Sequence, residues 1–414
     1  MFLKAPSGPQ RNRHRVSSRH ICVTNALLLC LGSVACDSPA DGADGGPIVL
    51  DSAGVEIVLN SGRVPQHLLY RVDLELGVLS GDPDFEFGSI ESVGLASDGT
   101  IYALDSQASV LRIFSADGQA LATVGGAGQG PHEFSLAAGG LVVLPGDTLL
   151  IHDFLNRRFA RLDRHGEWLE PISITSISIT SGRKWAAYGP GRLVFQGLPR
   201  GRAVLMGLDL ASGVVDTLLV LSEEASAAEA VRAGINMLLP RWLAWTPLGG
   251  GRIAWGWSDV YRIHVQEADG TLLRVISRDL DPVPIGTDDR DVLTETWLDL
   301  GLPAGTELPS VLTAVSFGDS WPLFSRFLAG PDETLWVQHV PVADELDREA
   351  LRAQDGSRMV AREWDVFNGT GRFVGVAELP LGVRLYHVGS DGVYGVRVGS
   401  LGVETIVRLV LQDG

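Results

Sequence analysis

Residues 98–118, DGTIYALDSQASVLRIFSADG, and residues 146–166, GDTLLIHDFLNRRFARLDRHG, align without a gap at an offset of 48. Thr100 meets Thr148, Asp105 meets Asp153, Phe114 meets Leu162 and Gly118 meets Gly166. Each copy reads as a turn, an apolar run, a polar loop, a second apolar run and a glycine turn, the pattern of an antiparallel hairpin. A further apolar stretch follows each copy, Ala120–Gly125 and Trp168–Ile174, and another precedes it, Ser92–Ala96 and Gly140–Leu144. The unit is therefore a four-stranded meander, repeated.

Looser copies continue along the chain. Arg192–Gly197 pairs with Ala203–Asp209, Arg252–Trp257 with Tyr261–Gln266, Thr334–Val340 with Met359–Phe367, and Val393–Val398 with Glu404–Leu411. Trp242–Thr246, Ser325–Ala329 and Arg384–Val388 supply preceding strands. Six units of this kind predict an all-β chain folded as a six-bladed β-propeller with four-stranded antiparallel blades. The sixth unit has only three strands of its own, and Tyr70–Leu79, a strand-like stretch without a blade, is expected to close the ring as its fourth. A linear solenoid is the alternative, but it needs polar capping repeats that the sequence does not offer.

Asp153-Phe154-Leu155-Asn156-Arg157-Arg158 followed by His165-Gly166 resembles the NHL repeat, with its Asp, its Asn-x-Arg and its turn. DSAGVEIVLN (Asp51–Asn60), VGGAGQGPHEF (Val124–Phe134) and LPGDTLL (Leu144–Leu150) are similar to matching segments of NHL-like six-bladed propellers exported by bacteria. The resemblance implies the fold and no single activity.

The composition agrees with many turns: 50 glycines in 414 residues, with no collagen period. A net charge of −17 argues against nucleic acid as a partner, because phosphate backbones reward clustered cations. Lys4 and Lys184 are the two lysines of the chain, which leaves little room for lysine-based covalent chemistry. Lys4 and four arginines precede an apolar run, Ile21–Val34, that is too short to span a bilayer as a helix. Leu31-Gly32-Ser33-Val34-Ala35-Cys36 resembles a bacterial lipobox, so residues 1–35 are expected to be a lipoprotein-type signal peptide and Cys36 the acylated residue. An ordinary signal peptide and a retained anchor are the alternatives. Cleavage would leave 28 cations against 50 acids, a mature charge of −22, in a chain without disulfides. Residues 36–66 then form a tether and N-terminal extension, residues 67–414 the propeller, and the chain an exported, membrane-anchored protein of the periplasm or cell envelope.

In a meander, the turns between strands 1–2 and 3–4 lie on one face, and the 2–3 and blade-to-blade connections on the other. The short turns belong to the first group. The long insertions, Ser222–Arg241, Leu280–Ser320 and Pro341–Arg358, belong to the second, which makes that face the expected binding face. Helices are expected after Ser222 and after Thr287. Asp153, with Asn156 and Arg157 after it, ends a second strand there, as do His339 and Arg397, and Asp259 follows another. These six residues are the candidate ligand contacts, although Asp and Asn in such places commonly satisfy loop amides instead. Histidine spacing, glycine pattern and the apolar inner strands suggest no metal, cofactor or nucleophile. The expected function is non-catalytic binding of an envelope protein, peptide or glycan. A lactonase- or lyase-like hydrolase with a divalent metal at the ring mouth is the alternative, and a structural scaffold a third.

Overall fold

The computed structural model describes residues 46–135, 138–174, 184–197, 203–221, 236–238, 242–291, 294, 315–340, 362–399 and 402–412. β1 (Ile48–Ser52) and β2 (Val55–Asn60) form a hairpin, and β3 (His67–Leu76) follows. The first four-stranded antiparallel sheet is β4 (Ile90–Leu95), β5 (Ile101–Asp105), β6 (Val110–Phe114) and β7 (Ala120–Gly125). The second is β8 (Ala138–Val143), β9 (Leu149–Asp153), β10 (Arg158–Leu162) and β11 (Trp168–Ser173). The third is β12 (Trp185–Ala187), β13 (Arg192–Gly197), β14 (Val204–Asp209) and β15 (Val215–Val220). After β16 (Asn236–Leu238) comes the fourth, β17 (Leu243–Leu248), β18 (Arg252–Trp257), β19 (Arg262–Glu267) and β20 (Leu272–Arg278). β21 (Val315–Phe317) pairs with β16 in parallel. The fifth sheet is β22 (Arg326–Ala329), β23 (Leu335–Gln338), β24 (Glu363–Phe367) and β25 (Phe373–Glu378). The sixth has β26 (Val383–Val388), β27 (Val393–Val398) and β28 (Glu404–Leu411), with β3 beside β28.

The repeat maps onto the strands directly: β5 and β6 recur as β9 and β10 with every boundary shifted by 48. All five residues of β5 and of β9 are buried, because each sheet is covered on both faces by its neighbours. That explains why the second strands read as unbroken apolar runs, while outer strands such as β7 and β11 are largely exposed. Tyr102 and Leu104 pack with Leu149 and Ile151 between the first and second sheets. Similar clusters lie between the second and third, third and fourth, fourth and fifth, and fifth and sixth sheets. Tyr394 and Val396 of β27 pack against Ile101 and Phe114, so the sixth sheet also meets the first.

β3 starts three residues before the expected stretch and ends three before it. It pairs antiparallel with β28 over Tyr70–Leu76, and its first three residues run parallel to β25. A bulge at Val72–Leu74 turns its alternating apolar face: Leu68, Tyr70 and Val72 pack between sheets five and six, Leu74 and Leu76 between sheets six and one. Three elements had no counterpart in the sequence reading: the β1–β2 hairpin, whose β2 runs parallel to β20, the parallel β16–β21 pair, and the short inner strand β12. Residues 287–291 are helical, as expected after Thr287, whereas the helix expected after Ser222 lies outside the described residues.

The turn glycine Gly118 has φ +89°, and a Cβ there would meet Leu76 of β3 at 2.7 Å and Leu74 at 3.1 Å. Gly146 has a similar φ of +88° and nothing within 4 Å. Gly118→Ala is expected to cost about 1–3 kcal/mol more than Gly146→Ala, the difference being the displacement of the Leu76 and Leu74 side chains of β3. Urea unfolding of the two variants measures it.

Candidate functional site

His339 meets Asp365, a residue that the sequence reading did not single out, at the junction of the fourth and fifth sheets, and Asp259 lines a cavity beside them. Asp365 lies in the middle of β24, whose sequence EWDVF alternates sides. Trp364 and Val366 pack towards the sixth sheet, and Phe367 towards the fourth. Asp365 shares the side of Phe367 and is fully buried. On the facing sheet, Ile276 and Arg278 of β20 lie on one side by the same period-two rule, which aims Arg278 at Asp365.

The Arg278 Nη1 donates to both Asp365 oxygens at 2.7 Å, and its Nη2 donates to the Gly62 carbonyl at 3.0 Å. Its guanidinium lies 4.0 Å from the centre of the Phe373 ring. The Tyr261 hydroxyl donates to Asp365 Oδ2. His339 Nε2 is 2.7 Å from Asp365 Oδ1, and Nδ1 is 3.2 Å from Glu363 Oε2. With a carboxylate at each ring nitrogen, both nitrogens donate and the ring is an imidazolium.

The charges follow from this geometry. Burial pulls the His339 pKa down, but Asp365 and Glu363 outweigh it and raise it to about 9. Burial pushes Asp365 up, yet His339, Arg278 and the Tyr261 hydroxyl hold it below the usual aspartate value. The hydrogen bond from His339 lowers Glu363, and burial with Asp365 nearby lifts Tyr261 well above its ordinary value. Two carboxylates thus balance one guanidinium and one imidazolium, and at neutral pH neither His339 nor Tyr261 is a base.

Beside this network is a cavity of about 210 Å³. Arg278, Tyr261, Arg262 and Asp259 line it, with Ser277 and the apolar Val260, Pro282 and Leu323. It lies where the loop between β18 and β19 meets the chain leaving β20, on the face expected for binding.

The other candidates are placed apart from this site. Asp153 is fully buried and accepts from Ser135 N at 3.0 Å, Asn156 Nδ2 at 2.7 Å and Arg158 Nε at 3.1 Å. Asn156 also donates to the Gly128 carbonyl at 3.1 Å, and Arg157 occupies the left-handed region at φ +53°. In the first sheet Asp105 does the same work, accepting from Gly88, Ser89, Gln107 and Ala108 amides and from Arg112. The repeated Asp is a latch for the loops of this face. Arg397 reaches across its sheet to Glu75 on β3. Among the described residues no group of three His, Cys, Asp or Glu is placed to hold a metal ion.

No family model matches the chain, and no curated protein matches its sequence. Solved structures do match its fold. A member of the DUF4221 family from Bacteroides vulgatus superposes with a TM-score of 0.50 at 10% identity, over 83% of this chain and 98% of that one. A protein from Bacteroides fragilis, named only as a candidate exported protein, gives 0.49 at 9% identity over 86% of this chain and 100% of its own. Virginiamycin B lyase from Staphylococcus aureus gives 0.41 at 9% identity, over 83% and 100%. The fold is that of a β-propeller. At this identity the likeness speaks for the propeller fold alone.

Asp365→Asn in this propeller leaves Arg278 buried beside a neutral amide and is expected to cost about 3–5 kcal/mol in urea unfolding. The His339 pKa is raised in the folded state from 6.5 to about 9. Its contribution is therefore complete below pH 6.5 and lost as pH rises through about 9. A melting-temperature profile over that window should fall for the native chain and flatten for His339→Gln.

Proposed function

We propose that the chain is an exported six-bladed propeller, held to the envelope membrane through Cys36, that binds a protein, peptide or glycan without catalysis. The six-bladed, closed reading is supported by the inner strands. β4 touches β8, β8 touches β12, β12 touches β17, β17 touches β22, β22 touches β26, and β26 touches β4 again. An N-terminal strand beside the C-terminal one is the closure this reading requires. The leader, the lipobox-like Leu31–Cys36 and the small, acidic residues 37–47 support export and anchoring. Among the described residues, no helix is long and apolar enough to cross a membrane.

The observation that carries the binding reading is the mutual consumption of charge at the blade four–blade five junction. Asp365 accepts from three side chains and His339 spends both nitrogens, so what this network presents to the cavity is the fixed Arg278 guanidinium, with Arg262, Asp259 and apolar neighbours around it. Such a wall recognises acceptor groups through its guanidiniums, with the Asp259 carboxylate beside them to take a donor. A cavity of about 210 Å³ is smaller than the ~300–1,000 Å³ that encloses a whole small molecule, and it suits one side chain or one sugar of a longer ligand.

Val260 is half exposed on the cavity wall, so Val260→Trp fills the space without disturbing the core. Screening on peptide and glycan arrays should find ligands that bind equally well in the presence of a chelator and lose about tenfold or more in affinity with Val260→Trp. Turnover of a lactone that chelation abolishes would instead favour a metal-dependent hydrolase, and no binding at all would favour a scaffold. Cys36→Ser is expected to release the protein from the membrane fraction.

A further inference from the structure

β1 is the outermost strand of the fourth sheet, which runs β1-β2-β20-β19-β18-β17. Ala53 and Gly54, at φ +56° and +85°, make the two-residue turn into β2, so Ser52 and Val55 exchange backbone hydrogen bonds. Alternation along β1 then gives the backbone groups of Leu50 and Ile48 to β2. It turns the N–H and C=O of Val49 and Asp51 outward, to an edge that no strand covers among the described residues. All five residues of β1 are exposed, so the strand stands clear of the sheets behind it. Ile48 and Leu50 share a face with their cross-strand partners Leu59 and Ile57, and Leu59 is exposed as well. The other outer edges are guarded. β7, β11 and β15, the outer strands of the first three sheets, each carry a bulge, and β11 adds Glu170 and Pro171. The β1–β2 register is unbroken.

We propose that β1 is a self-association edge, pairing antiparallel with β1 of a second copy about a two-fold axis and joining two sheets into one. Three registers bring outward-facing groups opposite one another near the middle of the strand. Centring on Val49 sets Asp51 opposite Pro47, which has no N–H to donate, and centring on Asp51 sets two carboxylates opposite each other. Centring on Leu50 avoids both. Val49 of each copy then exchanges backbone hydrogen bonds with Asp51 of the other, Leu50 meets Leu50 on the axis, and Ile48 lies beside Ser52. The apolar faces of the two hairpins become one continuous patch, each copy covering the exposed leucine and isoleucine of the other. A two-fold contact uses up both edges, so assembly stops at two copies. One short strand pair buries less than the ~1,200 Å² of a stable complex, which makes the dimer weak and reversible. Each copy carries a net charge of −17, so salt strengthens the contact. The edge lies across β2 from β20, and its pairing stands whether or not the cavity beside Arg278 binds a ligand.

The test uses the full chain with its native cysteines replaced. Sedimentation from about 10 μM to about 1 mM should show the mass rising from one copy to two, more steeply at high salt than at low. Val49→Pro deletes an outward N–H and leaves the β1–β2 bonds in place, so it should weaken dimerisation about tenfold or more with the melting temperature unchanged. Leu50→Cys puts two thiols on the axis, where the Cα atoms of a non-hydrogen-bonded pair are ~4.5 Å apart. It should oxidise to a disulfide-linked dimer about tenfold faster than Ile48→Cys, whose two thiols lie on opposite sides of the axis. A chain that stays monomeric across that range, species larger than two copies, or Ile48→Cys crosslinking as fast as Leu50→Cys overturns the proposal.

Discussion

The pairing of β3 with β28 is the contact on which the other parts of the fold rest. The sixth sheet has three strands of its own, and without a fourth it would present a long unpaired edge at the chain's C-terminal end. The N-terminal segment covers that edge and two more. β2 lies along the fourth sheet, the start of β3 along the fifth, and the remainder of β3 along the sixth. Asn60 reinforces the belt, donating to the Ser277 and Gly371 carbonyls and accepting from Phe373 N. One segment of chain thus ties three consecutive sheets together.

The candidate site lies under this belt, which supplies part of it. Gly62, between β2 and β3, gives its carbonyl to Arg278, and Arg278 in turn holds Asp365 of the next sheet. The network is buried, so its Coulomb attraction is set against a large cost of removing charge from water. What it gives in return is register: Arg278 and Tyr261 from one sheet and His339 and Glu363 from the next converge on one carboxylate. A cavity next to such a fixed junction keeps its shape, which is what recognition of a side chain or sugar requires.

The architecture was legible in the sequence because each blade repeats a local pattern. Turn glycines and alternating or continuous apolar runs mark strands wherever neighbours pack on both faces, as at Ile101–Asp105 and Leu149–Asp153. The site was not legible for the opposite reason. Asp365 meets Arg278 across 87 residues and Tyr261 across 104, and nothing local distinguishes a carboxylate in EWDVF from a solvent-facing one. His339 and Asp259 were found because they sit at strand ends on the long-insertion face, a positional signal. Arg397 satisfied the same signal, yet Glu75 draws it outward, since the closing strand places an acid within its reach.

The central claim is that the proposed ring is closed by the first long strand lying beside the last. Leu69 and Gln412 face one another across that pairing, with Gln412 N donating to the Leu69 carbonyl at 2.8 Å. Both are exposed. Cross-strand partners of this kind have Cα atoms roughly 5.5 Å apart, within the span of a disulfide. In a chain with its native cysteines replaced, Leu69→Cys with Gln412→Cys should oxidise readily to an intramolecular disulfide and raise the unfolding midpoint. If the two thiols stay reduced under mild oxidation in the folded protein, or crosslink only between molecules, the closure is contradicted and the fold is an open array.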